Sequence, residues 1–443
     1  MQMPLAIYCK AALLVGSFCP GYSFLKSHYN QHPDERIFTP CMLQVVEDSH
    51  IISETPQESP QQAHIIVVGK VIVDEYGRPN EPEPKISVGG GGPQAVIGAA
   101  LALASRDYKT HKQVQLKNTS SKNLPPPKQP ISFMAPVGDL DFSAIEENTL
   151  LELLEPVLQK PPIFLRGRQL MTPRIRLWHE GDENEQILRW FALNDSFGDQ
   201  GAGGLWGTLP SLEDYDRLFE DITCHSTTPT LHPVLHIIAE AGATAPGRNK
   251  DSRVLLDKNL RSKISFLGVE PVIFSNEDTG CVSEKDAVHC AKLLQDILKA
   301  TPQSQKVVIS PDMAAYQAMI ADTSMVKSPN LDSWAVRNGP QGSRLVLSPF
   351  DSAEMIQVPA ATLTELINPT GAGNAYAAAY TTLRGSGCGC IESACLATAI
   401  GAIFCEYPHC PPYDWQTIER VSHLGQHLES EIIREVAGIG QNA

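Results

Sequence analysis

The chain has 443 residues, 42% hydrophobic and 19% charged, with a net charge of −15. This is an ordinary globular profile, long enough for a large buried core. The acidic surplus repels polyphosphate backbones and so excludes nucleic acid as a general partner. Small phosphorylated ligands stay admissible, because local amides and helix ends can hold them.

The eleven cysteines are scattered from Cys9 to Cys410, with no CxxC pair matched to a second pair or to spaced histidines. They read as buried or free thiols of a reducing compartment rather than as a metal site. The first twenty residues are apolar but interrupted by Lys10, and the unbroken stretch 11–19 is too short to span a bilayer. It has the length of the apolar region of a leader but nearly lacks the charged segment that should precede it. The expectation is a cytoplasmic protein without membrane contact; an organelle-targeting leader is the alternative.

Residues 1–62 read as an N-terminal extension or leader, and 63–430 as one α/β domain. Order begins at His64-Ile65-Ile66-Val67-Val68-Gly69, a β-branched run closed by glycine, as in a buried strand. The run 93–104 (PQAVIGAALALA) predicts a helix, with Pro93 where a first-turn proline is tolerated. Residues 105–130 are polar, lysine-rich and close on a triple proline, and read as a solvated insertion loop. A strand at 131–137 and a helix over 144–158 follow. Two lid strands within about 164–195 then form a hairpin around Gly181-Asp182. After the glycine-rich stretch 198–207, candidate strands at 234–239, 264–269, 306–310 and 333–337 alternate with a helix at 284–300. Such alternation with long crossovers predicts a mostly parallel sheet flanked by helices, with a small β lid.

The segment most informative about chemistry is Asn368–Tyr380, NPTGAGNAYAAAY. Two glycines permit a tight turn, and an alanine-rich helix starts at once. Unpaired N–H groups at the positive end of a helix dipole form an anion cradle, suited to a phosphoryl group in transfer. The simpler alternative is a small-residue turn that packs a helix on a strand.

The longer string resembles the second signature of the PfkB carbohydrate-kinase family, Asp-Thr-Thr-Gly-Ala-Gly-Asp followed by a small-residue helix. Four further segments resemble that family in the same order. They are Gly69-Lys70-Val71-Ile72-Val73-Asp74, the loop Gly89-Gly90-Gly91-Gly92-Pro93-Gln94, Val137-Gly138-Asp139, and Arg337-Asn338-Gly339-Pro340-Gln341-Gly342. The tetraglycine loop and the Gly-Asn ending are reminiscent of a divergent branch that includes fungal virus-maintenance proteins.

The resemblance implies a ribokinase-like α/β fold, with ATP and Mg2+ as cofactors and a small hydroxylated substrate. It assigns the anion hole to Gly371, Ala372 and Gly373, and the base position to Asn374. Substrate contacts fall to Asp74, Gly90, Gly91 and Gln94, and nucleotide contacts to Asn338, Gly339, Gly342 and Thr370. Glu240, at a strand end, is a further candidate for substrate. Arg174 could project from the lid or pair with an acid, and His409 could line the adenine edge. A lid of this kind can pair with a second subunit, so a homodimer is a candidate assembly.

Two departures stand out. Where the family has a base-bearing Asp, this chain has Asn374, which cannot carry a proton at neutral pH. The family's Asn-x-x-Glu metal motif falls on Asp312-Met313-Ala314-Ala315, with Ala315 in place of the Glu, or on Asn276-Glu277-Asp278-Thr279, which also lacks the final Glu. Asp312 or Glu277 is left as a candidate metal-site residue. The sequence therefore supports two readings, an ATP-dependent kinase with weakened turnover and a non-catalytic pseudokinase that acts through a partner. A third class, a dinucleotide-binding dehydrogenase, is suggested by Gly90-x-Gly92-x-x-Ala95, but no acidic ribose ligand follows near His111.

Overall fold

The computed structural model describes residues 63–77, 82, 85–117, 124–139, 141–166, 171–182, 185–193, 209–225, 232–240, 253–272, 284–320, 328–347 and 355–439. The N-terminal extension, the glycine-rich stretch 198–207 and the alternative metal segment at 276–279 lie outside the described residues.

Among the described residues, nine strands form the main sheet and four the small one. The strands are β1 (Ala63–Val68), β2 (Ile72–Tyr76), β3 (Lys85–Gly89), β4 (Ile131–Pro136), β5 (Ile163–Leu165), β6 (Arg174–Asp182), β7 (Glu185–Ala192), β8 (His232–Glu240), β9 (Phe266–Val272), β10 (Lys306–Ile309), β11 (Leu331–Arg337), β12 (Ser343–Val346) and β13 (Met355–Val358). The helices are α1 (Gly91–Lys117), α2 (Ala144–Leu154), α3 (Leu212–His225), α4 (Lys258–Ser262), α5 (Glu284–Ala300), α6 (Met313–Ile320), α7 (Ala372–Gly385), α8 (Cys390–Cys405) and α9 (Trp415–Ile439).

The main sheet runs β13-β12-β11-β10-β9-β8-β1-β4-β5, parallel from β11 to β5 with two antiparallel strands at one edge. The alternation along β1 explains how its faces are covered. Ile65 and Val67 pack with residues of α1, α7, α8 and α9, whereas Ile66 and Val68 pack with α3, α5 and α6. From β1 the chain moves outward to β4 and β5, then returns to β8 and proceeds the other way. The order therefore reverses between β1 and β8, the place where open α/β sheets leave a crevice beyond their strand ends.

The small sheet, β3-β2-β6-β7, is inserted in two pieces, between β1 and α1 and again after β5. Its hinge is held by a polar latch. Gly138 N–H donates to Thr172 Oγ1 at 2.8 Å, and Thr172 N–H to Asp141 Oδ1 at 2.7 Å. Arg174 pairs with Asp141 at 3.2 Å and Glu146 at 2.7 Å, so this residue anchors the lid to α2.

The expected mixed α/β architecture is observed, with some elements longer than their sequence periodicity suggests. Helix α1 starts two residues before Pro93 and continues to Lys117, so 106–117 is helical where a loop was expected. Residues 124–130 are held against the start of α9: Tyr413 Oη donates to Pro127 O at 2.9 Å and Trp415 Nε1 to Leu124 O at 2.8 Å. Polar composition suggested a solvated loop here because the apolar partners that order it come from the far end of the chain.

Helix α7 is seated between α1 and the sheet by contacts that only small residues permit. A Cβ added at Gly98 would lie 2.5 Å from Ala375 O and 2.6 Å from its Cα, and the backbone there has little room to yield. Gly98→Ala should therefore cost about 1–3 kcal/mol as an overpacking substitution. Equilibrium urea unfolding should show a lower midpoint with unchanged slope.

Candidate active site

The site is assembled at the reversal of strand order. Gly90 has φ +94°, and a Cβ there would lie 2.8 Å from both Ile72 N and Lys70 O, so the turn from lid to α1 requires glycine. Gly91 begins α1 beside Ile238 of β8 and the Asn374 side chain, 2.9 and 3.1 Å from the position of its missing Cβ. Gln94, one turn on, is buried and meets α7. Asn374 Nδ2 donates to Gln94 Oε1 at 2.8 Å, and the Gln94 carboxamide also lies over Gly371. Gly371 takes φ +88°, and a Cβ there would sit 2.1 Å from Gln94 Cδ. The diglycine loop and the 368–374 run, 280 residues apart, thus form one surface.

The run 368–374 forms a turn that leads directly into α7. Gly371 caps α7 without a side-chain hydrogen bond. Ala372 N–H closes a turn onto Pro369 O at 3.3 Å, while the amides of Gly373 and Asn374 have no hydrogen-bond partner among the described residues. Upstream, Thr370 N–H donates to Asn368 Oδ1 at 3.0 Å, and Asn368 Nδ2 to Pro408 O at 2.7 Å. Asn368 and Thr370 therefore shape the approach to the helix. Free N–H groups at a helix start attract anions.

Asp74 sits on β2, in the lid sheet rather than in the first core strand, opposite Ser87 and 3.9 Å from the Cβ position of Gly89. It is 6% exposed, and no residue among those described hydrogen-bonds its carboxylate. Burial alone pushes its pKa up to about 8. Around it lie Tyr76, whose hydroxyl pKa is raised by burial and then by Asp74, and Cys410, pushed up to about 12 by burial and Asp74. His409 stacks edge-on against Tyr76 with centroids 5.3 Å apart, and its Nδ1 is 3.3 Å from Ser87 Oγ. Its ring thus packs on the lid strands that bear Asp74; burial, then Lys85, lowers its pKa.

The nucleotide-side turn follows β11. Asn338 N–H donates to Gly342 O at 2.9 Å, Asn338 Nδ2 donates to Gln341 Oε1, and Gly339–Gln341 forms a single 3₁₀ turn. The metal expectation fits less well. Asp312 Oδ1 accepts from Ala315 N–H at 2.7 Å, so this carboxylate caps α6. No group of three or more His, Cys, Asp or Glu able to hold a metal occurs among the described residues. Glu240 ends β8, but its side chain lies outside the described residues. No described helix is long and apolar enough to cross a membrane.

Sequence reasoning missed a charged cluster beneath the cradle. Arg337 Nη1 donates to Glu270 Oε1 at 2.5 Å, and His236 Nε2 lies 3.7 Å from Glu270 Oε2. His236 Nδ1 is 3.2 Å from Thr381 Oγ1 on α7. The available signal was a lone glutamate in the apolar run Phe266–Val272, which becomes meaningful only when its partner is known.

The dehydrogenase reading does not fit the topology. Its glycine loop follows lid strand β3 and not a strand of the parallel sheet, so it is not the first βα turn of a dinucleotide-binding unit.

No known protein-family model and no curated protein sequence matches this chain. Among solved structures, an uncharacterized sugar kinase from Pyrococcus horikoshii in complex with ATP is 15% identical with a TM-score of 0.50, covering 81% of this chain and 99% of that one. Arabidopsis thaliana ribokinase complexed with ribose and ATP is 14% identical with a TM-score of 0.48, covering 82% and 99%. A Methanocaldococcus jannaschii nucleoside kinase of the ribokinase family is 14% identical with a TM-score of 0.47, covering 82% and 99%. The chain has the ribokinase-like fold, a mostly parallel sheet flanked by helices.

The raised pKa of Asp74 has a definite sign in stability. The folded protein holds this proton more tightly than the unfolded chain, whose value is 3.8, so the group's contribution is present below pH 4 and is lost as pH rises through about 8. Asp74→Asn should therefore gain stability relative to wild type by a few kcal/mol between pH 4 and 8. Parallel denaturation curves across that range measure it; a constant difference would refute the assignment.

Proposed function

We propose that this chain is a PfkB-type, carbohydrate-kinase-like protein that binds a nucleotide's phosphates at the start of α7 and a small hydroxylated substrate between Asp74 and the diglycine loop. The observation that carries this reading is the hydrogen bond from Asn374 to Gln94. It joins the phosphate cradle to the loop beside Asp74, so two ligands bound there would meet over Asn374. Asp74 suits the substrate side because an ionised carboxylate accepts hydroxyl hydrogens and its own oxygens are unclaimed among the described residues. The P. horikoshii sugar kinase, which shares the fold and was solved with ATP, supports the same reading.

Turnover is expected to be weak. With its Nδ2 given to Gln94, Asn374 presents Oδ1 to a substrate hydroxyl; it can orient that hydroxyl but takes no proton. Removing a general base costs about 10²- to 10⁴-fold. Positioning and charge stabilisation, the larger part of phosphoryl-transfer catalysis, do not need the base. The residues present do not compose a metal site of the family's kind, since Ala315 brings no ligand and Asp312 is engaged as a helix cap. These two losses favour, as a second reading, a pseudokinase that binds its ligands without transferring phosphate.

ATP turnover against a panel of sugars and nucleosides separates the two. A kinase should show activity above a Gly373→Asp control, and Asn374→Asp should raise it by about 10²-fold or more. Ligand-dependent stabilisation without turnover in either form identifies the pseudokinase; ATP at 100 times its Kd should add about 2.7 kcal/mol of stability. No stabilisation by any nucleotide or sugar would sink both.

Substrate affinity should also depend on pH. Hydroxyl donors favour the ionised Asp74, so binding below its pKa of about 8 releases a proton. Affinity should rise as pH increases to about 8 and level off above it, and isothermal titration with wild type and Asp74→Asn should find the slope only in the former.

A further inference from the structure

We infer that Arg337 is a phosphate-binding residue of this site, a fixed cation aimed at the cradle by the buried carboxylate of Glu270. The inference rests on the phosphate-binding reading of α7 and adds a side chain to it. Arg337 ends β11, where its N–H donates to Pro311 O at 2.9 Å, and its side chain crosses to α7. The position of a Cβ on Gly373 lies 2.7 Å from Arg337 Nη1, and the next two nearest atoms, Cδ at 3.4 Å and Cζ at 3.6 Å, are also those of Arg337. The guanidinium therefore lies directly against the second cradle glycine, and a side chain there would have to displace it.

The same Nη1 donates to Glu270 Oε1, and Glu270 is only 1% exposed. Burying an ion pair costs several kcal/mol unless its remaining donors and acceptors are satisfied. Here they are not: Arg337 Nε and Glu270 Oε2 are buried with no hydrogen-bond partner among the described residues. A pair kept only for stability would be expected to close these valences. A guanidinium left under-bonded, with 12% of its side chain exposed and its edge on an anion cradle, is instead suited to a phosphate oxygen. Because Arg337 and not Glu270 supplies the atoms nearest Gly373, an anion at the cradle meets the cation first. Arg337 thus brings to this end of the site a positive charge that the residues at 312–315 are not arranged to recruit as a metal.

The test uses the full chain and isothermal titration with ATP, tripolyphosphate and adenosine in EDTA. Wild type should bind ATP and tripolyphosphate without metal. Arg337→Gln should weaken both about tenfold, the scale of one charge-assisted hydrogen bond, and leave adenosine unchanged within twofold. Equal tripolyphosphate affinity in wild type and Arg337→Gln overturns the role of Arg337 and leaves the phosphate-binding reading standing. Absence of ATP and tripolyphosphate binding in wild type overturns that reading, and this inference with it. If Arg337→Gln does not fold, Arg337→Lys carries the test, because it keeps a charge for Glu270 but loses the planar fork. At an unchanged melting temperature it should bind tripolyphosphate at least threefold more weakly, and undiminished affinity overturns the proposal.

Discussion

Where α7 crosses α1, the backbone of Ala375 comes so close to Gly98 that no side chain fits between them, and the rest of the site is built on that approach. Because the two helices touch backbone to backbone, Gln94 reaches Gly371 and Asn374. Because they touch so near their N-termini, the diglycine turn and the anion cradle become one surface. A larger residue at this crossing would push apart two halves of the site that are 280 residues distant in sequence. The contact lies beside the point where the sheet reverses its strand order, which leaves a crevice open above β1 and β8.

The electrostatics of the site divide between its two ends. At the lid end a single buried carboxylate, Asp74, has no neighbour to satisfy it among the described residues, and its pKa rises accordingly. At the cradle end the backbone supplies partial positive charge from α7, and Arg337 lies against it, paired with Glu270. Asn374 sits between the two ends as a neutral hydrogen-bonding group. The proposed chemistry puts a polyphosphate at one end of this arrangement and a hydroxylated molecule at the other. The arrangement supplies positioning in full but no proton acceptor at the junction, which is why binding is the better supported half of the proposed chemistry.

Polar contacts add to the apolar packing of Val73 and Val88 in tying the lid to the body. Arg174 spans from β6 to Asp141 and Glu146, and His409 meets Tyr76 and Ser87 from the loop after α8. Both residues could be noticed in the sequence, and pairing with an acid was one of two uses open to Arg174, but their partners could not be named. An arginine on a short strand and a histidine in a proline-rich loop have many uses, and only the fold shows that each bridges from the body to the sheet bearing Asp74.

The local features of this protein were legible in its sequence. The β-branched run of β1, the small-residue turn before α7, the exact span of α5 and the glycine loop before α1 all follow from periodicity and backbone sterics acting over a few residues. These interactions are short-ranged, so the sequence alone determined them. The partnerships were decided by the tertiary structure. Glu270, Arg337 and His236 stand on three different strands, and the burial that makes their charges matter exists only once β8, β9 and β11 are aligned beneath α7. The same holds for 106–117, helical despite its polar composition, and for Asp312, whose carboxylate turned out to cap a helix. At the turn before α7, the sequence determined a small-residue helix start; packing decided that an arginine would stand behind it.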